Sequence, residues 1–235
     1  MREDRFFIST KIEKGSLEIS DKEIFHQLKN VLRKKVGDLI ILFNDTGIEA
    51  EAEIKEFLKD KVKVEILKIE RPNIEPKIFT SLFCSILKKS NFELVAQKAT
   101  EIGVKEIVPI LCQNTVKTRL NFERLRKIAK EAAEQSKRVT LPKIEEILTF
   151  KEAIEKAKNF DLKILFDISG TKFSSLKNKV EKVAVFIGPE GGWDKPEIEL
   201  AKEEGFEILN LGKLNLRSET AAIAASFLLI HFFSS

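Results

Sequence analysis

From residue 78 onward, short apolar runs alternate with segments of helical periodicity, and this alternation constrains the fold more than any other feature. The apolar runs are continuous and cover residues 78–85, 106–111, 162–166, 183–187 and 206–209. Strands that are apolar along their whole length are typical of a parallel sheet covered by helices on both faces. The sequence therefore predicts an α/β fold with a mostly parallel sheet in this part of the chain.

Capping residues mark where helices begin between these runs. Ser90, Thr149 and Asp194 are each followed three residues later by a glutamate, which is the spacing of a capping box. Gly103 lies where the first of these helices should end, a position that commonly holds glycine. Two further helices are expected over residues 121–138 and 219–233.

The first seventy residues follow a different pattern. Short strands are expected over residues 2–8, 39–43, 48–57 and 62–66, with a tight turn at 44–47. A capping-box spacing at Ser20 predicts a short helix that ends near Leu32. This pattern indicates a small antiparallel, barrel-like β-domain, so the chain as a whole is mixed α+β.

Two prolines separate the parts. Pro72 and Pro76 stand four residues apart, and proline favours a stiff, extended backbone. We place the domain boundary there and expect one domain over residues 1–71 and a second over residues 72–235.

Composition disfavours several classes of protein. Cys84 and Cys112 are the only cysteines, and His26 and His231 lie far apart, which argues against a disulfide framework or a zinc site. The N-terminus is acidic without an apolar core, and the longest apolar run, over 221–233, is too short to span a bilayer. We therefore expect a cytoplasmic protein that uses no metal and does not enter a membrane.

Two glycine-bearing turns follow the last two expected strands. Residues 188–192 read Gly-Pro-Glu-Gly-Gly, and Gly212 follows the final strand. Ligands bind at the carboxyl ends of strands in open parallel sheets, and glycine lets the backbone approach them closely. The turns match neither a dinucleotide fingerprint nor a P-loop. They predict an adenosine-sized pocket covered by Leu211, Leu214 and Leu216, with two ordinary strand-to-helix turns as the alternative.

A polar cluster from Arg217 to Thr220 opens the last helix. Ser218, Glu219 and Thr220 are explained equally well by helix capping and by a functional site. A cation at a helix N-terminus is electrostatically misplaced. We therefore expect Arg217 to face an anion.

Basic residues offer a weaker signal. The net charge of +4 does not by itself indicate nucleic acid. Lys88 and Lys89 open a helix, where phosphate is favoured. A second basic group lies beside Phe6 and Phe7 and could contact RNA, although solvated side chains are the alternative. This second group comprises Arg2, Arg5, Arg33, Lys34 and Lys35.

Several motifs, in order along nearly the whole chain, resemble the ribosomal RNA small subunit methyltransferase E family of the SPOUT (α/β-knot) superfamily. They are RFF at 5–7, HQLKNVLRKKVGD at 26–38, KKSNFELVAQKATEIGV at 88–104, EAAEQSKR at 131–138, IGPEGGW at 187–193 and LGKLNLRSETA at 211–221. Each motif alone is modest, and their common order and spacing are specific. One departure stands out, because the family's usual Arg-Ile-Leu-Arg reads Lys213 to Arg217 here and lacks the first arginine.

The resemblance implies both fold and activity. It implies a PUA-like, RNA-binding β-barrel over residues 1–71 and a SPOUT α/β domain with a deep trefoil knot over residues 72–235. The family acts as a homodimer with its active site near the dimer interface. Its members transfer a methyl group from S-adenosylmethionine (SAM) to N3 of a uridine in 16S rRNA of the small ribosomal subunit, and S-adenosylhomocysteine is the product.

Site residues follow from the same motifs. The expected cofactor-binding residues are Phe166, Ile187, Gly188, Glu190, Gly191, Gly192, Leu211, Gly212, Leu214, Asn215, Leu216 and Thr220. The expected RNA-binding residues are Arg2, Arg5, Arg33, Lys34, Lys88, Lys89 and Arg138. For catalysis we expect Arg217 to stabilise the uracil anion. Either Glu190 or Glu219 accepts the proton, and the sequence does not choose between them.

Two alternatives remain at this stage. The first is a SPOUT methyltransferase that modifies another rRNA or tRNA nucleotide, or a ribose 2′-hydroxyl. The second is a non-catalytic RNA-binding factor in ribosome assembly, for which the altered loop at 213–215 is the only support.

Overall fold

In the computed structural model, residues 4–116, 119–173 and 180–234 are described. The chain divides into two compact units. The first unit comprises Met1–Glu75 with Ala133–Leu141, and the second comprises Pro76–Ala132 with Pro142–Ser235.

The first unit is built on a five-stranded sheet. Its strands are β1 (Arg5–Phe7), β2 (Gly15–Ile19), β3 (Leu39–Phe43), β4 (Glu49–Phe57) and β5 (Val62–Glu70). The order is β1-β3-β4-β5-β2, and all neighbours are antiparallel except β1 and β3. The expectation of a wholly antiparallel sheet is therefore wrong at β1, and β2 was not predicted. Strand β4 shows why it folds this way, because Ala50, Ala52 and Ile54 alternate inward while glutamates face outward.

The helix expected from Ser20 to Leu32 is shorter and less regular than its pattern suggests. Helix α1 (Lys22–His26) is capped by Asp21, whose carboxylate accepts hydrogen bonds from the backbone amides of Glu23 and Ile24 at 2.8 and 3.2 Å. It continues as one π-helical turn over Gln27–Val31. Arg33 then takes a left-handed conformation with φ of 54°, and the chain turns back towards β3. Both features are uncommon for these residue types.

The second unit contains a seven-stranded sheet in which every pair is parallel. Strands β6 (Phe79–Ser85), β7 (Glu106–Leu111), β10 (Leu162–Lys172), β11 (Lys182–Ile187) and β12 (Glu207–Asn210) confirm the predicted apolar runs. Two short edge strands, β8 (Lys143–Ile144) and β9 (Leu148–Thr149), were too short for a periodic signal. The order is β12-β10-β11-β6-β7-β8, with β9 also paired to β7.

Helices cover both faces of this sheet. The helices are α2 (Lys89–Ile102), α3 (Phe122–Ser136), α4 (Phe150–Ala157), α5 (Lys195–Glu203) and α6 (Ser218–Ser234). One core contains residues of α2, α3 and α6, and a second core contains residues of α4 and α5. None of the helices in the described residues is long and apolar enough to cross a membrane.

The predicted caps are correct in three of five places, and the box expected at Ser20 is wrong because Asp21 caps α1. Thr149 and Asp194 form complete capping boxes, and Gly103 ends α2 with φ of 106°. The box expected at Ser90 is wrong, because the cap position lies two residues earlier, at Lys88, which makes no side-chain cap.

One strand crossing brings the two glycine turns together. Strand β12 pairs with β10 rather than with β11, which precedes it in the chain. The register of β10 on β12 shifts between Phe166 and Thr171, and Gly170 lies at the shift. A Cβ atom on Gly170 would come within 2.6 Å of the backbone of Leu209, so a side chain there would separate the strands. The loops after β11 and β12 therefore leave the same end of the sheet, on either side of β10.

Candidate functional site

A cavity of about 870 Å³ lies at the carboxyl ends of the parallel strands. Segments after β6, β7, β11 and β12, together with residues of β10 itself, contribute to its wall. Its lining comprises Lys88, Asn91, Val116, Phe166, Asp167, Ile168, residues 187–193, residues 210–212 and 214–219, and Ala221. This volume is in the range that small-molecule sites usually have.

The first wall is the turn after β11. The indole nitrogen of Trp193 donates a hydrogen bond to the carbonyl of Phe166 at 2.9 Å, which joins this turn to β10. A Cβ atom on Gly188 would stand 2.9 Å from the indole ring, so glycine is needed for this close packing. Asn114 donates to the carbonyl of Gly192 at 3.1 Å. These bonds fix the backbone that faces the cavity.

The second wall is the loop between β12 and α6. Asn210 donates to the carbonyl of Gly170 at 2.5 Å, and its own oxygen accepts from the amide of Gly212 at 3.1 Å. Leu216 is half-buried, whereas Leu214 is 80% exposed. An apolar side chain so exposed at a cavity mouth offers a surface that a bound ligand can cover.

Two charged side chains reach the cavity at the start of α6: Arg217 just before the helix and Glu219 in its first turn. Arg217 is exposed, and its guanidinium forms no ion pair or hydrogen bond within the described residues. Glu219 is only 8% exposed, and its Oε2 atom has no hydrogen-bond partner among those residues. Buried polar atoms are nearly always paired, so an unpaired one at a cavity wall needs an explanation.

Glu190, the other acidic candidate, has a different environment. Its side chain is exposed in the turn after β11. The backbone amide of Lys88 donates to its Oε1 atom at 3.5 Å, at the limit of a hydrogen bond. Water can therefore satisfy Glu190, while it reaches Glu219 poorly.

The two thiols near the cavity are poor nucleophiles. Burial raises the pKa of Cys84 far above its usual value, with Cys112, Glu190 and Glu219 adding to the effect. Burial likewise raises the pKa of Cys112 to about 12. Both thiols are therefore neutral at physiological pH. Within the described residues, no group of three or more histidine, cysteine, aspartate or glutamate side chains is placed to hold a metal ion.

With one exception, the expected cofactor-binding residues lie together. All of them line the cavity apart from Thr220, which is exposed in the first turn of α6. Several lining residues were not named from the sequence: Val116, Asp167, Ile168, Trp193 and Asn210. Trp193 and Asn210 adjoin the glycine turns, so their proximity in sequence was an available signal, whereas Val116 comes from a distant loop.

Two of the expected RNA-binding arginines are buried. Arg5 is 7% exposed, forms an ion pair with Glu49, and donates to the carbonyls of Lys137 and Arg138 at 3.2 Å. Arg138 is 5% exposed and binds the carboxylate of Glu75 at 3.0 Å. Both guanidinium groups hold internal partners, so the structure gives them a structural role in place of the exposed one expected.

The other basic residues vary in availability. Arg33, Lys88 and Lys89 are exposed, and Lys88 also lines the cavity. Lys34 is half-buried and pairs with Asp4 at 2.8 Å. Arg2 lies outside the described residues.

Two family models match the chain. Residues 75–230 match an RNA methyltransferase domain, and residues 19–67 match an RNA methyltransferase PUA domain.

Similar proteins cover almost the whole length. A ribosomal RNA small subunit methyltransferase E from Rickettsia conorii is 33% identical over 96% of this chain and 94% of that protein. The protein of the same name from Bacillus subtilis is 30% identical over 94% of this chain and 93% of its own length.

Solved structures of similar proteins match the chain over almost its whole length. A ribosomal RNA small subunit methyltransferase E from Neisseria gonorrhoeae, bound to S-adenosyl methionine, superposes with a TM-score of 0.92 at 28% identity. That match covers 99% of this chain and 98% of the other. A putative methyltransferase from Legionella pneumophila, in complex with SAM, gives a TM-score of 0.91 at 29% identity, with the same coverage.

Proposed function

The chain belongs to the RNA methyltransferase family whose members carry a PUA domain, and from this premise we propose that it methylates N3 of a uridine in 16S rRNA of the small ribosomal subunit. SAM is the methyl donor, and S-adenosylhomocysteine is the product. The observation that carries the proposal is the cavity at the carboxyl ends of β10, β11 and β12, where two ordered glycine turns face each other.

The residues of the cavity fit this cofactor. The glycines at 188, 191 and 192 expose backbone at one wall, where Gly188 packs closely on Trp193. Leu211, Leu214 and Leu216 supply apolar surface at the other wall. Backbone amides and carbonyls can then bind the edge of an adenine whose faces are covered by leucine. The departure from the family motif at Lys213–Asn215 removes one arginine and leaves these features in place.

Arg217 has the position and the charge for the chemical step. SAM supplies a methyl group activated by a positive sulfur. N3 of uracil carries a proton, and its removal leaves negative charge on O2 and O4. A guanidinium without an internal partner can face that charge as it develops. The absence of an ion pair or hydrogen bond to its guanidinium, among the residues that the structure describes, is therefore part of the proposed site.

The first unit offers a surface for RNA at the turn after its π-helical segment. Arg33 and Lys35 are exposed there, and Val31 and Val36 are 61% and 62% exposed. Cationic and apolar side chains together suit unpaired nucleotides, because one contacts phosphate and the other packs on a base. The left-handed conformation of Arg33 costs free energy, and such strain is concentrated at functional sites. We include Lys88 and Lys89 in the proposed RNA contacts of the second unit.

Three further properties belong to this proposal through the family. They are a trefoil knot in the methyltransferase domain, a cytoplasmic location, and a homodimer with the active site near its interface. The crossing of β12 over to β10 is compatible with the knot, since the chain returns afterwards to pack α6 against α2. The exposed side chains of Phe227 and Phe232 on α6 are compatible with a dimer. We propose domain boundaries at residues 71 and 72.

Labelled SAM and purified small subunits that lack the modification test the proposal. We expect label in a single uridine, recovered after digestion as the N3-methylated nucleoside in mass spectrometry. Label in a ribose or in another base would identify a different SPOUT activity. An absence of SAM binding in calorimetry would leave the non-catalytic assembly factor as the better account.

A further inference from the structure

The geometry points to Glu219, and not Glu190, as the group that accepts the N3 proton. This inference rests on the proposed function, since it names the base for that reaction. It starts from the two acidic side chains of the cavity and from the difference in their surroundings.

Glu219 is a buried carboxylate that lacks a full set of partners. The residue is 8% exposed, it lines the cavity, and its Oε2 atom is buried without a hydrogen bond among the described residues. Leaving a buried acceptor unpaired is unfavourable, and it is more so for a charged group. Because rotation about one bond exchanges the two carboxylate oxygens, a donor that enters the cavity can satisfy either. The site therefore favours a ligand that brings an N–H group to this position.

The position of Glu219 on α6 leaves its carboxylate open to a donor from the cavity. It lies in the first turn of the helix, where the backbone amides and the helix dipole stabilise negative charge. No lysine, arginine or histidine is paired with it within the described residues, so its oxygens are not already held by an internal cation. A proton acceptor needs an open hydrogen-bonding position of this kind.

Glu190 does not offer such a sheltered position. Its carboxylate is exposed to solvent, and it accepts one long hydrogen bond from the amide of Lys88. A hydrated carboxylate must lose water before it can bind a donor. It is therefore the weaker acceptor of the two.

Arg217 and Glu219 then divide the reaction between them. The N3 proton moves to the carboxylate of Glu219, and the electron pair of the N–H bond stays on the ring. The resulting charge on O2 and O4 faces Arg217. The electron pair at N3 forms the new bond to the methyl carbon as the bond from carbon to sulfur breaks, and the sulfonium becomes a neutral thioether. The proton leaves Glu219 for solvent once the product has gone.

The test compares Glu219→Gln with Glu199→Gln as a matched control. Glu199 lies exposed on α5 and outside the cavity lining, so the control changes the same group elsewhere. The turnover of small subunits is measured as a function of pH, and SAM binding is measured by calorimetry. Thermal unfolding shows that each variant is folded.

We expect Glu219→Gln to lower kcat by at least about a hundredfold near neutral pH, and Glu199→Gln to leave it unchanged. The glutamine variant should regain roughly tenfold per pH unit on the alkaline side, because solvent then removes the proton. Its SAM affinity should stay within about threefold of the wild-type value, since the role assigned to Glu219 is towards uracil. Glu219→Asp, a second variant, should keep a wild-type pH dependence with reduced turnover.

Two outcomes would overturn the inference. One is a Glu219→Gln enzyme with normal kcat and SAM affinity reduced more than about tenfold, which would make Glu219 a cofactor ligand. The other is a reduced kcat with an unchanged pH profile, which would make its role structural. In either case wild-type N3 methylation stands, so failure of this inference is distinct from failure of the proposed function.

Discussion

Charged side chains lie at both ends of the parallel sheet in the second unit. They are paired with one another at the amino end, and they lack such partners among the described residues at the carboxyl end. At the amino end, Glu106 accepts a hydrogen bond from Ser81 at 2.6 Å and pairs with Lys156 at 2.8 Å. Lys156 also pairs with Glu145 at 2.8 Å. At the carboxyl end, Arg217 has no partner in the described residues and Glu219 has a buried oxygen without one.

This difference indicates that the charged residues at the amino end serve stability and those at the carboxyl end serve function. A satisfied network repays the cost of burying its charges and ties α4 to β7 and to the segment after β8. A buried carboxylate oxygen without a partner, as in Glu219, costs stability and is kept where a ligand uses it, whereas water can reach the exposed Arg217 at little cost. Substitutions at the amino end should therefore change folding, and those at the carboxyl end should change catalysis.

The largest effect is expected from Arg217→Ala. Removing a guanidinium that faces the developing charge should lower kcat by about 10²–10³-fold. SAM affinity should change little, because the role assigned to Arg217 is towards uracil. The melting temperature should change little, because Arg217 is exposed and its side chain makes no hydrogen bond or ion pair within the described residues. Single-turnover methylation, calorimetry and thermal unfolding measure the three quantities. Normal turnover would remove Arg217 from the mechanism.

A substitution at the amino end should lower stability and leave turnover unchanged. Lys156→Ala leaves Glu106 and Glu145 side by side without their shared cation, and should lower the free energy of unfolding by roughly 2–3 kcal/mol. Turnover per folded molecule should be unchanged. Lys151→Ala on the exposed face of α4 is the control, expected to stay within about 0.5 kcal/mol. Lost turnover in a folded Lys156→Ala protein would contradict the separation.

Acid should weaken the amino end. Burial acts to raise the pKa of Glu145, but hydrogen bonds with Glu106, Lys143 and Lys156 outweigh it and lower the pKa from 4.5 to about 2. Because the folded-state pKa is depressed, this stabilisation is complete above the ordinary value and is lost as pH falls towards 2. The free energy of unfolding from denaturant titrations should fall over that window. The free energy of unfolding of the Glu145→Gln variant should fall less steeply over the same pH range. An equal slope in the two proteins would assign the acid sensitivity to other carboxylates.

The smallest effect extends the comparison to the first unit. Arg5 is buried with internal partners, whereas Arg33 is exposed in a left-handed conformation. Arg33→Gly should leave the protein as stable or up to about 1 kcal/mol more stable, because glycine adopts this conformation without strain. It should also weaken subunit binding by a few-fold and reduce its salt dependence by about one charge. Unchanged binding at low and high salt would remove this turn from the RNA surface.

The sequence predicted the elements whose signals are local. The parallel sheet followed from continuous apolar runs, and the caps at Thr149 and Asp194 followed from residues three apart. Ser90 has the same spacing but does not cap α2, because Lys88 occupies the position that precedes the helix. Strand β2 and the parallel pairing of β1 depend on partners that local periodicity does not reveal.

Long-range pairing explains what could not be predicted at the sites. Arg5 and Glu49 are 44 residues apart, and Arg138 and Glu75 are 63 apart, so nothing near either arginine shows that it is buried. The motif around Glu219 allowed a cap or a functional residue. Only the folded arrangement shows that its carboxylate is buried at a cavity wall without a full set of partners.

Hydrogen exchange with and without SAM tests the contrast between the two ends most directly. We expect SAM to slow amide exchange in residues 187–192 and 210–219, at the carboxyl end, because it fixes the two turns that line the cavity. Exchange at Glu106, Glu145 and Lys156 should stay as it is in the free protein. Protection confined to the amino end, or spread evenly over both ends, would contradict the account.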